Sequence, residues 1–204
     1  LLYYILTNDR KGGSQMTITE IKKAALLNFT EKGYDGASLS DIAQEVGIKK
    51  QSIYSHFKSK DELFLTVMEE VINEETKFLH QYFSHYQPDL KNYLEDFILK
   101  LKERYTNNKE CNMKFILRMA YMPPVHLREE VILNFKLYFS ELEKLLNKLF
   151  FNTETFSKKA ERATLSFMTI LDGLLVALIY GGIERFNQKF RVSWEIYWSG
   201  LLND

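Results

Sequence analysis

The residues with the most chemistry to offer lie between Ser38 and Lys60. Lys49, Lys50, Gln51, Ser52, Tyr54, Ser55 and His56 are interleaved there with the apolar Ile48, Ile53 and Phe57. From Val46 to Lys60 the chain carries four lysines, Lys49, Lys50, Lys58 and Lys60, and no acid. Ammonium groups and hydroxyls gathered on one short helix can hold phosphates, and backbone amides at a helix start can add to that. The Gln51 amide offers a donor and an acceptor together, which suits the edge of adenine. A run of lysines is more often only a solvated face. The weight therefore falls on the elements that would hold these side chains in place.

Those elements read as two short helices around a tight turn. Ser38 is a good N-cap, and Asp41 follows three residues later near the first-turn amides. Leu39, Ile42, Ala43 and Val46 make a short apolar face, and Gly47 interrupts it with a residue that tolerates positive φ. Ile53 and Phe57 anchor the second helix, and the small Ala43 lets the pair approach closely. This is a helix-turn-helix pattern, although an αα-corner with no ligand would show the same periodicity. Before it, Ile18, Ile21, Ala25 and Phe29 recur at spacings of three and four, and Gly33 closes that helix after Lys32.

Beyond it the helical period continues. A start at Ser59 or Lys60 leads into a long helix to about Tyr86, bounded by Pro88 and Asp89. Leu90, Tyr93, Leu94, Phe97, Ile98 and Leu101 form the next stripe. Met113 to Tyr121 is stopped by Pro123 and Pro124, and long helices follow at 125–151 and 157–180. Gly181 and Gly182 precede a last helix over 192–202. No segment alternates with period two, so the expectation is an all-α chain of about nine helices.

Composition sets limits on function. The 204 residues include 27 Lys+Arg and 27 Asp+Glu, so bulk positive charge is excluded while a local basic patch is not. Cys111 is the single cysteine, which excludes an intramolecular disulfide and a multi-cysteine zinc module, and fits a reducing compartment. His56, His80, His85 and His126 show no His-Glu-x-x-His spacing, and the glycine pairs lack a strand–loop–helix setting. No catalytic residue, metal site or cofactor is expected. The apolar run Leu1–Leu6 has neither a basic region before it nor a small-residue cleavage site after it, and it is far too short to span a membrane. Residues 1–15 read as an upstream extension or expression remnant with mobile ends.

Glu31-Lys-Gly-Tyr34, Asp41-Ile-Ala43, Gly47-Ile48, Ile53-Tyr54 and His56-Phe57-Lys-Ser-Lys60-Asp-Glu-Leu63 stand in the order and spacing of a known signature. Over residues 17–64 the chain resembles the TetR family of bacterial helix-turn-helix regulators. The resemblance implies an N-terminal three-helix DNA-binding domain at 16–62 and a larger helical ligand-binding and dimerisation domain at 63–204. It implies a cytoplasmic homodimer that binds double-stranded palindromic DNA, most often as a repressor, and is released by a small molecule. The helix from Lys49 to Phe57 becomes the recognition helix, with Lys50, Gln51 and Ser52 towards bases and Tyr54, His56 and Lys60 on phosphates. Ser38 and Lys49 complete the expected DNA-binding set. Two positions depart from the family pattern. Lys49 replaces the usual Ser or Thr cap, a loss worth ~1 kcal/mol, and Asn28 stands where an apolar residue is common.

After residue 64 the resemblance fades. Between Tyr82 and Phe139 the chain is rich in aromatics and Met, which are mostly core by their spacing but suit a pocket for an apolar or aromatic inducer. Its lining is read as Tyr86, Phe97, Tyr105, Met113, Met119, Tyr121 and Tyr138. Leu165–Tyr180 is apolar around most of its circumference, and the final helix adds Trp194, Ile196, Tyr197, Trp198, Leu201 and Leu202. Leu171, Leu175, Leu178, Trp194 and Trp198 are therefore the expected dimer interface. The alternative is a helical protein-interaction module whose DNA-binding domain is degenerate.

Overall fold

In the computed structural model the backbone is described for residues 2–86, 88–107 and 111–203, and side chains from Thr17 onwards. The expectation for residues 1–15 thus lies outside the described side chains. The elements are α1 (Leu2–Gly36), α2 (Leu39–Val46), α3 (Lys50–Tyr54), α4 (Lys60–Ser84), α5 (Leu90–Thr106), α6 (Asn112–Tyr121), α7 (Arg128–Phe151) and α8 (Ala160–Asn203). Short 3-10 turns at Val125–Leu127 and Glu154–Lys159 precede α7 and α8. No strand occurs among the described residues. The fold is all-α, with eight helices where periodicity gave nine. The difference lies in α8, which continues past Gly182 in a bend at φ 70°. Its second arm starts about ten residues before the apolar pattern reveals it, because Glu184, Arg185, Asn187, Gln188 and Lys189 are solvated.

The chain forms two compact units. The first comprises Leu1–Ile72 and Lys114–Asn134, and the second comprises Asn73–Met113 and Phe135–Asp204. The segment 114–134, remote in sequence, therefore belongs with the N-terminal elements.

The first unit is built on α1. Ile21, Ala25 and Phe29 are wholly buried along one face, as their spacing predicts. Phe29 packs edge-on against Phe64 with centroids 5.1 Å apart, and Phe64 lies 5.8 Å from Phe115 of α6. Burying side chains of this size contributes about 1.5–3 kcal/mol each. Ser38 Oγ accepts from the Asp41 amide at 3.1 Å and starts α2. Gly47 ends it at φ 75°, with the Ile48 amide returning to the Ala43 carbonyl at 2.9 Å. That left-handed residue turns the chain sharply enough for Ile53 of α3 to reach the same core as Ile42.

The second unit is held by aromatics. Tyr82 and Tyr93 each donate to the other's backbone carbonyl, at 2.8 and 2.6 Å, tying α4 to α5. Phe97, Phe167 and Phe186 are fully buried, and Phe186, Phe190, Trp194 and Tyr197 stack successively along the second arm of α8. Trp194 Nε1 donates to Glu95 at 3.1 Å. Glu75, wholly buried, pairs with Arg104, whose guanidinium also lies over the Phe78 ring. By length and composition the stretch Glu154–Asn203 holds an 18-residue window apolar enough to cross a membrane, with a mean hydropathy of 1.8. Gly182 breaks it, however, and one face of both arms is buried within the chain, as in a core helix.

Candidate nucleic-acid interface

The expected DNA-binding residues fall into two groups. Lys49, Lys50, Gln51 and Tyr54 are exposed on and beside α3, with Tyr54 half open at 50 %. Neither lysine has an ion-pair partner among the described residues. Lys50 Nζ sits 6.0 Å over the Tyr54 ring, a contact that leaves the ammonium accessible. Beneath this surface Ile53 is wholly buried and Phe57 nearly so. The alternation of buried anchors and open polar side chains fixes the orientation of α3. Lys49 occupies the N-cap in an extended conformation and makes no capping hydrogen bond, as its side chain requires. The helix has five residues, shorter than the Lys49–Phe57 span read from sequence.

Ser38, Ser52, His56 and Lys60 are partly covered. Ser38 uses its oxygen to cap α2. Lys60 Nζ donates to the carbonyls of Tyr34 and Ala37 at 2.8 and 3.1 Å and lies 4.1 Å over the Tyr34 ring. Two of its three N–H groups are thus engaged inside the domain, and the residue expected on phosphate is first a brace on the segment that leads from the break of α1 at Gly33 to α2.

Charged groups around the interface are tuned by local partners. Lys32 bonds the Asp41 carboxylate at 2.9 Å, and with Ser38 it lowers the Asp41 pKa below its ordinary value. Tyr34 donates to Asp61, which lowers the Asp61 pKa, aided by His126 at 3.4 Å and by Lys60. Burial, and then this bond, raise the Tyr34 hydroxyl pKa, so Tyr34 stays protonated. Asn28, the departure in α1, is buried and donates to Glu45 of α2 at 2.8 Å and to the Ala24 carbonyl at 3.0 Å. A polar residue is tolerated there because both amide hydrogens are satisfied.

Sequence reasoning missed Arg118 and His126, which reach these elements from the 114–134 segment. The available signal for Arg118 was a base near the end of an otherwise largely apolar short helix.

The pocket and interface expectations fare differently. Phe97, Met113, Met119 and Tyr138 are core, Tyr105 is partly covered, and Tyr86 and Tyr121 are surface residues. Met119 and Tyr121 fall in the first unit and the other five in the second, so the seven are not gathered within either unit. Leu171, Leu175, Leu178, Trp194 and Trp198 are all buried within a single chain. Their apolar stripe is covered by the chain's own helices and is not free for a partner. The open apolar side chains of α8 are Leu165, Tyr180, Ile183, Val192, Ile196 and Leu202. Between its arms lies a cavity of about 580 Å³, lined by Ile170, Gly173, Leu174, Val192 and Ile196 with Arg185 and Lys189 beside them.

Comparison with known proteins places this geometry. The family model of the bacterial regulatory proteins, tetR family, matches residues 21–67. The biofilm operon icaADBC HTH-type negative transcriptional regulator IcaR of Staphylococcus epidermidis is 40% identical over 83 residues, covering 40% of this chain and 45% of that protein. Its Staphylococcus aureus counterpart is 40% identical over 85 residues with the same coverage. The alignment thus spans less than half the length of these curated relatives. Among solved structures, a TetR-family transcriptional regulator from Agrobacterium tumefaciens superposes with a TM-score of 0.72 at 22% identity, covering 89% of this chain and 97% of that one. NalD, the secondary repressor of the MexAB-OprM multidrug efflux pump in Pseudomonas aeruginosa, gives 0.68 at 20% identity over 93% and 97%. FadR from Bacillus subtilis, solved in complex with stearoyl-CoA, gives 0.60 at 16% identity over 88% and 96%.

Proposed function

The chain belongs to the tetR family of bacterial regulatory proteins, and on that premise we propose that it is a DNA-binding transcriptional repressor that works as a homodimer. The observation that carries this reading is the α3 surface. Lys49, Lys50, Gln51 and Tyr54 stand open on a helix whose other face is locked by Ile53 and Phe57. Two adjacent exposed lysines, with no ion-pair partner among the described residues, beside an open tyrosine fit a phosphate backbone. Lys50, Gln51 and Ser52 take the base edges, and Tyr54, His56 and Lys49 take phosphates. Lys60 keeps one N–H for a phosphate while bracing the domain.

The open apolar side chains on α8 support assembly with a second copy. Two-fold symmetry then places two recognition helices on one side of the duplex, reading half-sites at a spacing set by whole helical turns. A small apolar or aromatic ligand in the second unit releases the DNA. The aromatic interior of that unit supports that class, as do the acyl-CoA bound by FadR and the efflux-pump control exercised by NalD. Helices α4, α6 and α7 run from one unit into the other and are the covalent routes for such a signal. Like other DNA regulators it would act in the bacterial cytoplasm.

The test is enrichment from a random duplex pool, followed by affinity measurement at several salt concentrations. Enrichment of a palindrome, with affinity falling steeply as salt rises, supports the reading. Absence of enrichment favours the interaction-module alternative.

A further inference from the structure

Arg118 of α6 makes contacts that DNA binding as described above does not use. Its Nη1 donates to the carbonyls of Thr30 at 3.2 Å and Glu31 at 3.1 Å, 88 and 87 residues away in sequence. These carbonyls belong to the last turn of the helical stretch that Gly33 ends at φ 74°. Helix ends leave carbonyls without intrahelical partners, and a guanidinium is favoured there by charge and by geometry. Gly33 admits it: a Cβ at that position would stand 3.0 Å from Arg118 Nη2 and 3.3 Å from Nε. The glycine therefore serves twice, for its positive φ and for the close approach of the guanidinium.

The four residues after Gly33 lead directly to Ser38, the cap of α2. Lys60 holds the carbonyls of Tyr34 and Ala37 on the same short connector. The path from α1 to α2 is thus held at its start by Arg118 from α6, and through Tyr34 and Ala37 by Lys60 from α4. Because α2 and α3 are joined by the fixed turn at Gly47, the course of this connector sets where α3 presents its polar face.

We propose that Arg118 is a positioning residue for DNA binding: by holding the C-terminal turn before Gly33 it fixes the α1–α2 connector, and it makes the orientation of α3 depend on α6. The role rests on the DNA-binding reading. The nearby contact of His126 with Asp61 is exposed on both sides and contributes little by comparison.

The test uses the full chain as wild type, Arg118→Gln and Arg118→Lys. Amide hydrogen exchange is measured over residues 33–38. Affinity is measured on the duplex that the wild type enriches from a random pool. In Arg118→Gln, exchange over 33–38 accelerates about tenfold and the duplex is bound about tenfold more weakly, as expected for losing charge-assisted bonds. The salt slope stays unchanged, because no phosphate contact is removed. Arg118→Lys restores part of both effects. A folded Arg118→Gln protein that binds within about twofold of wild type overturns the role, since that is smaller than the loss of one such bond. Weakened binding with unchanged exchange over 33–38 overturns it as well. If Arg118→Gln does not fold, Arg118→Lys carries the test: wild-type affinity in that folded variant overturns the role, and an intermediate loss with faster local exchange supports it. A wild-type chain that enriches no duplex removes the DNA-binding reading, and this role with it. An enriched duplex bound equally by the variant removes this role alone.

Discussion

Replacing Ile196 by Asp should dissociate the protein without unfolding it, whereas replacing Trp198 by Ala should unfold it. The two residues lie two apart on the same arm of α8 and differ in what covers them. Ile196 is 68 % exposed in the single chain, and Trp198 only 9 %. Complete burial of an isoleucine contributes about 1.5–3 kcal/mol, so the part still open at Ile196 offers about 1–2 kcal/mol per protomer. An isologous interface uses each residue twice, which gives about 2–4 kcal/mol per dimer, or roughly 30- to 1000-fold in dissociation constant. The new carboxylates, desolvated in the interface, add to that. Trp198 instead packs against Phe156 at 5.5 Å and Trp194 at 5.8 Å within its own chain. Its removal costs about 3–5 kcal/mol of folding stability. Sedimentation velocity over a concentration series, paired with thermal melts, separates the outcomes. The reasoning is refuted if Ile196→Asp sediments as wild type at every concentration, or if Trp198→Ala melts as wild type while dissociating.

Other outcomes follow from named contacts. Gln51→Ala should relax sequence preference and weaken the best site by ~1–3 kcal/mol, whereas Lys49→Ala should weaken all duplexes alike and lower the salt slope by about one; indistinguishable enrichment profiles would contradict the division. Lys60→Ala should lower the melting temperature, since it removes two charge-assisted bonds to backbone carbonyls. The Asp41 pKa is lowered by Lys32 and Ser38, so its contribution to stability is complete above the unfolded value of 3.8 and is lost as pH falls through the lower folded value. Melts of wild type and Asp41→Asn should therefore differ at pH 6 and converge in strong acid. The Asp172 pKa is raised by partial desolvation, the opposite sign, so this exposed carboxylate opposes folding, weakly, as pH climbs through the raised value. Asp172→Asn should be more stable than wild type at neutral pH, with the gap closing toward pH 4.

The local half of the interface was legible in the sequence because its determinants are local. Ser38 caps α2, Gly47 ends it, and Ile53 and Phe57 anchor α3 at the expected positions. Each depends on a few neighbouring residues and on a backbone preference that residue type reveals. Lys60 reads as a phosphate ligand by charge and register, yet its ammonium is drawn to two carbonyls that only the folded connector presents. Arg118 is invisible for a similar reason, since its partners lie almost ninety residues away. On α8, period identified an apolar helix but not what covers each face. Leu171, Leu175 and Leu178 are buried by their own chain, while Ile196, which the sequence also puts on the apolar surface of the last helix, and Val192 are open.

The central claim, that the α3 surface binds duplex DNA, is tested most directly by competing wild type against the double variant Lys50→Ala, Gln51→Ala in enrichment from a random duplex pool. Both residues are exposed, so the double variant should fold and melt as wild type does. The wild type should enrich a palindrome with two half-sites, and the double variant should enrich none or a relaxed one. A wild type that enriches nothing, or a folded double variant that enriches the same palindrome with equal strength, would contradict the account.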